Sequence, residues 1–92
     1  MLIFGAKGLA KEVLEVCLEK MKEKDIVFYD DISSDLPMKL YDRFFILRNL
    51  GEAREYFAKI DNRFILGIGG PSLRALAFSK FMEAGGTPYS LF

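Results

Sequence analysis

The stretch that decides the fold is MLIFGAKGLA, residues 1–10. A short apolar run is followed by a glycine turn, and an amphipathic stretch then extends from Lys11 to about Met21. This order predicts a buried strand, a loop of the size that holds a phosphate group, and the helix that the loop opens. Nucleotide-binding α/β domains begin with this arrangement.

The glycine loop has a chemistry suited to phosphate. Gly5 stands where the chain must turn after the strand, which a residue without Cβ does at no steric cost. Gly8 allows the backbone to approach an anion that the free N–H groups of the following helix would face, and Lys7 and Lys11 add positive charge. The glycines are spaced G-x-x-G with Ala10 after them, so the second glycine of the dinucleotide fingerprint G-x-G-x-x-G/A is missing. The alternative is a tight turn that binds no ligand.

Composition and charge narrow the class of protein. The 92 residues are enough for one small domain, and 13 basic residues balance 13 acidic ones without a block of like charge, which argues against nucleic-acid binding. No stretch has the length of a membrane span and the N-terminus lacks a signal-peptide pattern, so we expect a cytoplasmic protein with no membrane partner. Histidine is absent and Cys17 is the single cysteine, which excludes a histidine base and a histidine- or cysteine-rich metal site on this chain.

The rest of the chain alternates between predicted strands and predicted helices. The strands are Ile26–Tyr29, Phe44–Leu47, an apolar run that begins at Phe64, and Tyr89–Phe92. The helices run from Leu50 to about Lys59, capped by Asn49, and from Pro71 to about Ala84, stopped by Gly85 and Gly86; residues 32–42 form a surface loop. Helical spacing predicts inward positions for Ala53, Tyr56, Phe57 and Ile60, and for Leu73, Leu76, Ala77, Phe81 and also Phe78. We therefore expect a small Rossmann-like α/β domain of three layers, with helices on both faces of a mainly parallel sheet of about four or five strands.

Two acidic residues follow the second predicted strand. Asp30 and Asp31 lie roughly twenty residues beyond the glycine loop, where dinucleotide folds place the acid that binds ribose hydroxyls. A carboxylate there can accept hydrogen bonds from sugar hydroxyls or from a base N–H. The alternative is an acidic turn that only ends the strand, since aspartate is common in turns.

A second glycine turn follows the strand that begins at Phe64. It contains Ile68, Gly69 and Gly70, and Arg74 lies in the first turn of the next helix, where it either reaches an anion or remains a solvated or ion-paired surface residue. If this strand lies beside the first strand, opposite Ile26–Tyr29, the chain reverses direction there. The first glycine loop, the acidic pair Asp30 and Asp31, and the second glycine turn would then surround one crevice, where open α/β sheets bind ligands. Since a domain rarely stops on an apolar strand, we expect the chain to be the N-terminal part of a longer protein.

In combination, these segments resemble a known family. Residues 5–13, residues 28–31, and residues 66–69 followed by Arg74 are similar to the N-terminal domain of bacterial sugar acyltransferases, and the resemblance covers the whole chain. These are the sialic acid O-acetyltransferases and the relatives that N-acetylate UDP-linked amino sugars, and the domain is called the PglD N-terminal domain. In that family a Rossmann-like domain holds the nucleotide sugar. A left-handed β-helix of hexapeptide repeats follows, which binds acetyl-CoA, carries the catalytic histidine and forms a homotrimer.

The resemblance implies a role for each group of candidate residues. Gly5, Ala6, Lys7 and Gly8 would line the phosphates or the sugar, Asp30 and Asp31 would bind the nucleoside, and Ile68, Gly69 and Gly70 would close the other side. Some members of the family carry a histidine and a glycine in place of Leu9 and Ala10, and polar amides in place of Gly70 and Pro71.

The function that the resemblance implies is binding rather than catalysis. The domain would bind a UDP-amino-sugar-like molecule and present it to an acetyl-CoA-binding domain outside this chain, for O- or N-acetylation in polysaccharide or glycan biosynthesis. Because the chain contains no hexapeptide repeats, we expect no catalytic residue and no cofactor in it, and a monomer or weak dimer, with a homotrimer for the full-length protein. The alternative is an NAD(P)-binding domain of an oxidoreductase or redox sensor, against which the missing second glycine and the absent histidine argue. A third hypothesis is a structural role in assembling or capping an oligomer.

Overall fold

Short apolar runs form the strands of this domain, and the amphipathic stretches between them form its helices. The computed structural model describes residues 1–5, 8–31, 39–40 and 43–89. The strands are β1 (Leu2–Phe4), β2 (Val27–Tyr29), β3 (Lys39–Leu40), β4 (Phe44–Leu47), β5 (Arg63–Leu66) and β6 (Thr87–Pro88). The helices are α1 (Gly8–Cys17), α2 (Leu50–Lys59) and α3 (Pro71–Glu83), with a single 3₁₀ turn at Glu23–Asp25.

The strands form one twisted sheet in the order β3-β4-β2-β1-β5-β6. Every neighbouring pair is parallel except β3 and β4, which are antiparallel. The predicted α/β class and mainly parallel sheet are confirmed. The short strand β3 at the edge lies within residues 32–42, which the sequence predicts as a loop; residues 32–38 and 41–42 lie outside the described residues.

Helix α1 covers one face of the sheet, and α2 and α3 cover the other. On the α1 face, apolar side chains of the helix meet those of β1, β2 and β4, and the buried members are Met1, Ile3, Ala10, Leu14, Cys17, Ile26, Phe28, Phe44 and Ile46. The helix ends at Cys17 rather than near Met21, because the chain tightens into turns in which the N–H groups of Lys20 and Met21 both donate to the Cys17 carbonyl. Leu18 and Met21 still pack against this core, which explains why the apolar pattern continues past the helix.

On the other face, the ring of Phe81 stands at the centre of an aromatic core. Its centroid lies 5.3 Å from Phe4, 4.9 Å from Tyr29, 6.0 Å from Phe57 and 5.4 Å from Phe64. Phe81 is completely buried. Edge-to-face and tilted contacts of this kind add to the hydrophobic stabilisation of the buried rings. The core therefore ties α3 to the carboxyl-end residues of both β1 and β2.

Several predicted core positions are wrong. Ala53, Tyr56 and Phe57 of α2 are buried, but Ile60 is 75% exposed, because it stands at the C-cap, where the backbone leaves the helix. In α3 the buried residues are Ala77 and Phe81, a narrow stripe that faces the sheet. The flanking residues Leu73, Leu76 and Phe78 are 38%, 63% and 42% exposed, since one sheet face contacts only one side of a helix.

Helix α2 begins and helix α3 ends at the predicted cap residues. The Asn49 side chain accepts a hydrogen bond from the Glu52 backbone N–H at 2.9 Å and so caps α2, as predicted. Gly85 has φ +100° just after α3, a left-handed conformation that confirms the predicted glycine stop. Strand pairing then begins at Thr87, two residues before the predicted strand, and residues 90–92 lie outside the described residues. In the described part of the chain, no helix combines the length and hydrophobicity needed to cross a membrane.

A polar network closes the amino-terminal edge of the sheet, around the buried amino group of Met1. This group donates to the Asp25 carbonyl, to the Tyr56 hydroxyl at 2.6 Å and to the Asp61 carboxylate at 2.9 Å. Arg63 donates to the same carboxylate, with Nη2 2.7 Å from Oδ2. Burial alone would raise the pKa of Asp61, but the hydrogen bonds from Arg63 and the Met1 amine outweigh burial and hold this pKa well below its ordinary value.

Candidate functional site

Three parallel strands end level with one another at the opposite, carboxyl edge of the sheet. Phe4 at the end of β1 is in register with Tyr29 of β2 on one side and with Leu66 of β5 on the other. The ladder continues one residue further, because Gly5 N–H donates to Tyr29 O at 2.7 Å and Gly67 N–H donates to Phe4 O at 2.9 Å. Since β1 is followed in sequence by β2 on one side and later by β5 on the other, the chain reverses direction at β1, as the sequence predicts.

The amino end of α1 approaches these strand ends closely because two glycines and an alanine meet there. Gly5 has φ +105°, and a Cβ on it would lie 2.9 Å from the Gly67 carbonyl oxygen. A Cβ on Gly67 would lie only 2.8 Å from Ala10 Cα. Ala10 itself is completely buried. The backbone of α1 thus rests on the ends of β1 and β5 at a distance that larger residues would prevent, which is the packing role of the last small residue of dinucleotide fingerprints.

Asp30 and Asp31 follow β2 and differ in their surroundings. Asp30 is buried, with 8% exposure, and its backbone N–H donates to Leu47 O at 3.0 Å, which extends the pairing of β2 with β4. The Asp31 side chain is 25% exposed, and its Oδ2 accepts hydrogen bonds from Lys80 Nζ at 2.8 Å and from the Tyr29 hydroxyl at 3.1 Å. Burial alone would raise the pKa of Asp31, but these two hydrogen bonds outweigh burial and leave the pKa below its ordinary value. Asp31 is therefore an ionised acceptor at neutral pH.

The turn at residues 68–70, after β5, is the third segment at this edge of the sheet. Gly70 has φ +87°, so this position favours glycine, and no atom of the described residues would lie within 4 Å of a Cβ on Gly69 or Gly70. Arg74, from the first turn of α3, donates to Ile68 O at 2.8 Å and to Leu66 O at 3.4 Å. Arg74 is exposed, as one of the two predicted alternatives has it, and its guanidinium also holds the backbone of this turn.

The predicted site residues fall into three groups in the structure. Gly5, Asp30 with Asp31, and Ile68 with Gly69 and Gly70 are brought to the same edge of the sheet, after β1, β2 and β5. Gly8 is the first residue of α1. Ala6 and Lys7 lie outside the described residues. The binding roles of all these residues remain predictions.

The structure adds residues that the sequence does not single out for the site. Ala10 and Gly67 create the close approach of α1 to the strand ends, and the sequence marks both only as small residues beside a glycine turn. Lys80 lies 49 positions beyond Asp31 and stands near the end of a helix whose exposed residues carry no binding pattern. Only the tertiary fold brings its amine to the acid.

The fold and the edge geometry define the class: an open α/β domain whose strand order reverses at β1, which is the point at which open sheets of this kind bind ligands. The model of one family, the PglD N-terminal domain, matches residues 1–81 of the chain. The chain belongs to this family, the N-terminal domain of PglD-like acetyltransferases, as the resemblance indicates. Comparison with curated proteins and with solved structures gave no match.

Proposed function

We propose that this domain binds a nucleotide sugar of the UDP-amino-sugar type at the carboxyl ends of β2, β1 and β5. The bound sugar is the acceptor in O- or N-acetylation by an acetyl-CoA-binding domain outside these residues. The observation that carries the proposal is the convergence of Gly5, Asp31 and the turn at residues 68–70 on one edge of the sheet, in a chain that belongs to the PglD N-terminal domain family.

The amino end of α1 is suited to the diphosphate. The first turn of this helix carries no acidic residue, and Lys11 is exposed there. The first N–H groups of a helix lack partners within the helix, and their aligned dipoles favour an anion. The packing of Ala10 against Gly67 holds these groups beside the strand ends. A phosphate bound there would lie between the turns after β1 and β5.

Asp31 is suited to the nucleoside. Its carboxylate is ionised at neutral pH and partly exposed, so it accepts hydrogen bonds from ribose hydroxyls or from a base N–H. A hydrogen bond to a charged group contributes about 1.5–3 kcal/mol, enough to orient a ligand of this size.

The contribution of such a domain to acetyl transfer is positioning. Holding the acceptor amine or hydroxyl against a thioester converts a bimolecular step into an effectively unimolecular one, which lowers the barrier without any group on this domain taking part in the chemistry. Since the chain contains no histidine, this division of work agrees with its composition.

Calorimetric titration of the chain with UDP-N-acetylglucosamine, NAD and acetyl-CoA, side by side, tests the proposal. We expect binding of the UDP-sugar and none of acetyl-CoA. Asp31→Asn should weaken the UDP-sugar at least about tenfold, because a charge-assisted hydrogen bond is lost. Glu55→Gln is the matched control, since this exposed acid also pairs with a lysine but lies on α2. Preference for NAD over the UDP-sugar, or equal affinity of the two variants, would contradict the proposal.

A further inference from the structure

We infer that Lys80 is a positioning residue for nucleoside recognition: it holds the Asp31 carboxylate in the orientation that receives the ligand, together with the Tyr29 hydroxyl. The inference rests on the proposed function, because it concerns the acid that this function assigns to the nucleoside. It adds a second residue of α3, in which the sequence singles out only Arg74, a residue that donates to the backbone before the helix.

One oxygen of the Asp31 carboxylate accepts both of its side-chain hydrogen bonds. Lys80 Nζ and the Tyr29 hydroxyl both donate to Oδ2 of Asp31, at 2.8 and 3.1 Å. Two donors on the same oxygen fix the rotation of the carboxyl group and hold its negative charge in place. The ammonium group also lies 5.9 Å from the centroid of the Tyr29 ring, so the three side chains form one contiguous cluster.

The two donors are themselves anchored by the aromatic core. Tyr29 is completely buried, and its ring stacks on Phe4 at 5.5 Å. Phe81, the residue after Lys80, packs edge-to-face on Tyr29 at 4.9 Å and is completely buried. Lys80 therefore leaves α3 from a point that the core fixes relative to the end of β2. A long, flexible lysine side chain gains a defined position in this way, which a lysine on an unanchored surface lacks.

Two ionisable side chains that contact Asp31 both lower its pKa. Lys80 on α3 and Tyr29 on β2 both favour the ionised form of Asp31. Burial, Asp31 and the Glu52 carboxylate on α2 all raise the pKa of Tyr29, so the phenol remains protonated and continues to donate. Removal of the Lys80 charge leaves burial opposed by the Tyr29 hydrogen bond, the weaker of the two side-chain hydrogen bonds, and by a backbone hydrogen bond at Asp31. The carboxylate should then take up a proton at a higher pH.

The test uses UDP as the probe, with calorimetric titrations between about pH 4 and pH 8. We expect Lys80→Met to weaken UDP about fivefold at neutral pH, since the ion pair is partly exposed. We also expect the loss of affinity in acid to begin at a higher pH than in the unsubstituted chain. Lys80→Arg, which retains the charge, should restore both properties. Lys59→Met, which breaks the exposed pair with Glu55 on α2, should change neither.

A double-mutant cycle separates positioning from direct contact. If Lys80 acts through Asp31, adding Lys80→Met to Asp31→Asn should cause no further loss of UDP affinity. A further loss of the same size as in the unsubstituted background would mean that Lys80 contacts the ligand itself, and would overturn the inference. Unchanged affinity and pH dependence of Lys80→Met would overturn it as well. Failure of the unsubstituted chain to bind UDP would instead overturn the proposed function.

Discussion

Replacing Gly67 by alanine tests the close approach of α1 to the strand ends. The added Cβ would lie 2.8 Å from Ala10 Cα, 3.1 Å from Ala10 Cβ and 3.2 Å from Phe4 O. Two of these three atoms belong to backbone, which has no alternative rotamer. Carbon atoms pack best at about 3.5–4.0 Å, so α1 would have to move away from the sheet by about 0.7–1.2 Å.

The magnitude follows from the cost of overpacking. Inserting a group into a well-packed interior destabilises a protein by about 1–3 kcal/mol. For a domain of this size, each kcal/mol lowers the melting temperature by about 4–8 °C. A central value of about 2 kcal/mol therefore predicts a melting temperature about 8–16 °C lower. The displaced helix would carry its first turn, the proposed phosphate position, away from the strand ends. We therefore also expect the variant to bind UDP-N-acetylglucosamine more weakly at temperatures where it is folded.

Thermal unfolding followed by circular dichroism measures the first effect, and calorimetry measures the second. Gly69→Ala is the matched control, because a Cβ on Gly69 meets no atom within 4 Å in the part of the chain that the structure describes, and its backbone is outside the left-handed region. This control should change the free energy of unfolding by no more than about 0.5 kcal/mol, which keeps its melting temperature within about 2–4 °C of that of the unsubstituted chain. Equal melting temperatures for Gly67→Ala and Gly69→Ala would refute the argument that steric contact with α1 requires glycine at this point.

Three further predictions concern single side chains. Asn49→Ala should cost about 1 kcal/mol of stability, measured by denaturant unfolding, because the N-cap hydrogen bond to α2 is lost; a cost below about 0.3 kcal/mol would contradict the cap. Asp61→Asn should cost about 2–3 kcal/mol at pH 7, because the buried Met1 amine and Arg63 lose a charged acceptor. The pKa of Asp61 is lowered in the folded state, so this difference should persist above the unfolded-state pKa of about 4 and shrink as the pH falls further; a pH-independent difference would contradict it. Burial raises the pKa of the Cys17 thiol, so the thiol should react with Ellman's reagent only on unfolding, and fast reaction in native buffer would contradict the described packing of α1.

The sequence predicts those parts of the fold that depend on local physics. The apolar runs at β1, β2, β4 and β5 are short and bounded by turn residues. Asn49 before α2 and Gly85 after α3 are cap residues whose effect depends on the adjacent turn of the helix. The parallel sheet follows from the alternation of strands with helices, and the switch point follows from the order of the chain once β5 lies beside β1. The location of the candidate site could therefore be predicted without coordinates.

The contacts that shape the site depend on distances between residues far apart in the chain. The pair Lys80 and Asp31 is separated by 49 positions, and no periodicity links the two. The meeting of Gly67 with Ala10 depends on how deeply α1 settles on the sheet, which is a property of packing. Leu73, Leu76 and Phe78 show the converse, since apolar residues at helical spacing predict a broad buried face, while the buried residues of α3 are Ala77 and Phe81.

The most direct test of the central claim is a titration of the isotope-labelled chain with UDP-N-acetylglucosamine, followed by amide chemical shifts. The claim predicts that the largest shifts fall on residues after β2, β1 and β5, which are Asp31, Gly5 and the turn at residues 68–70. The amides of Ile60 and Asp61, at the amino-terminal edge, should remain unchanged and serve as the internal control. Shifts centred on that opposite edge, or no shifts at ligand concentrations in the millimolar range typical of weak binding, would contradict the claim.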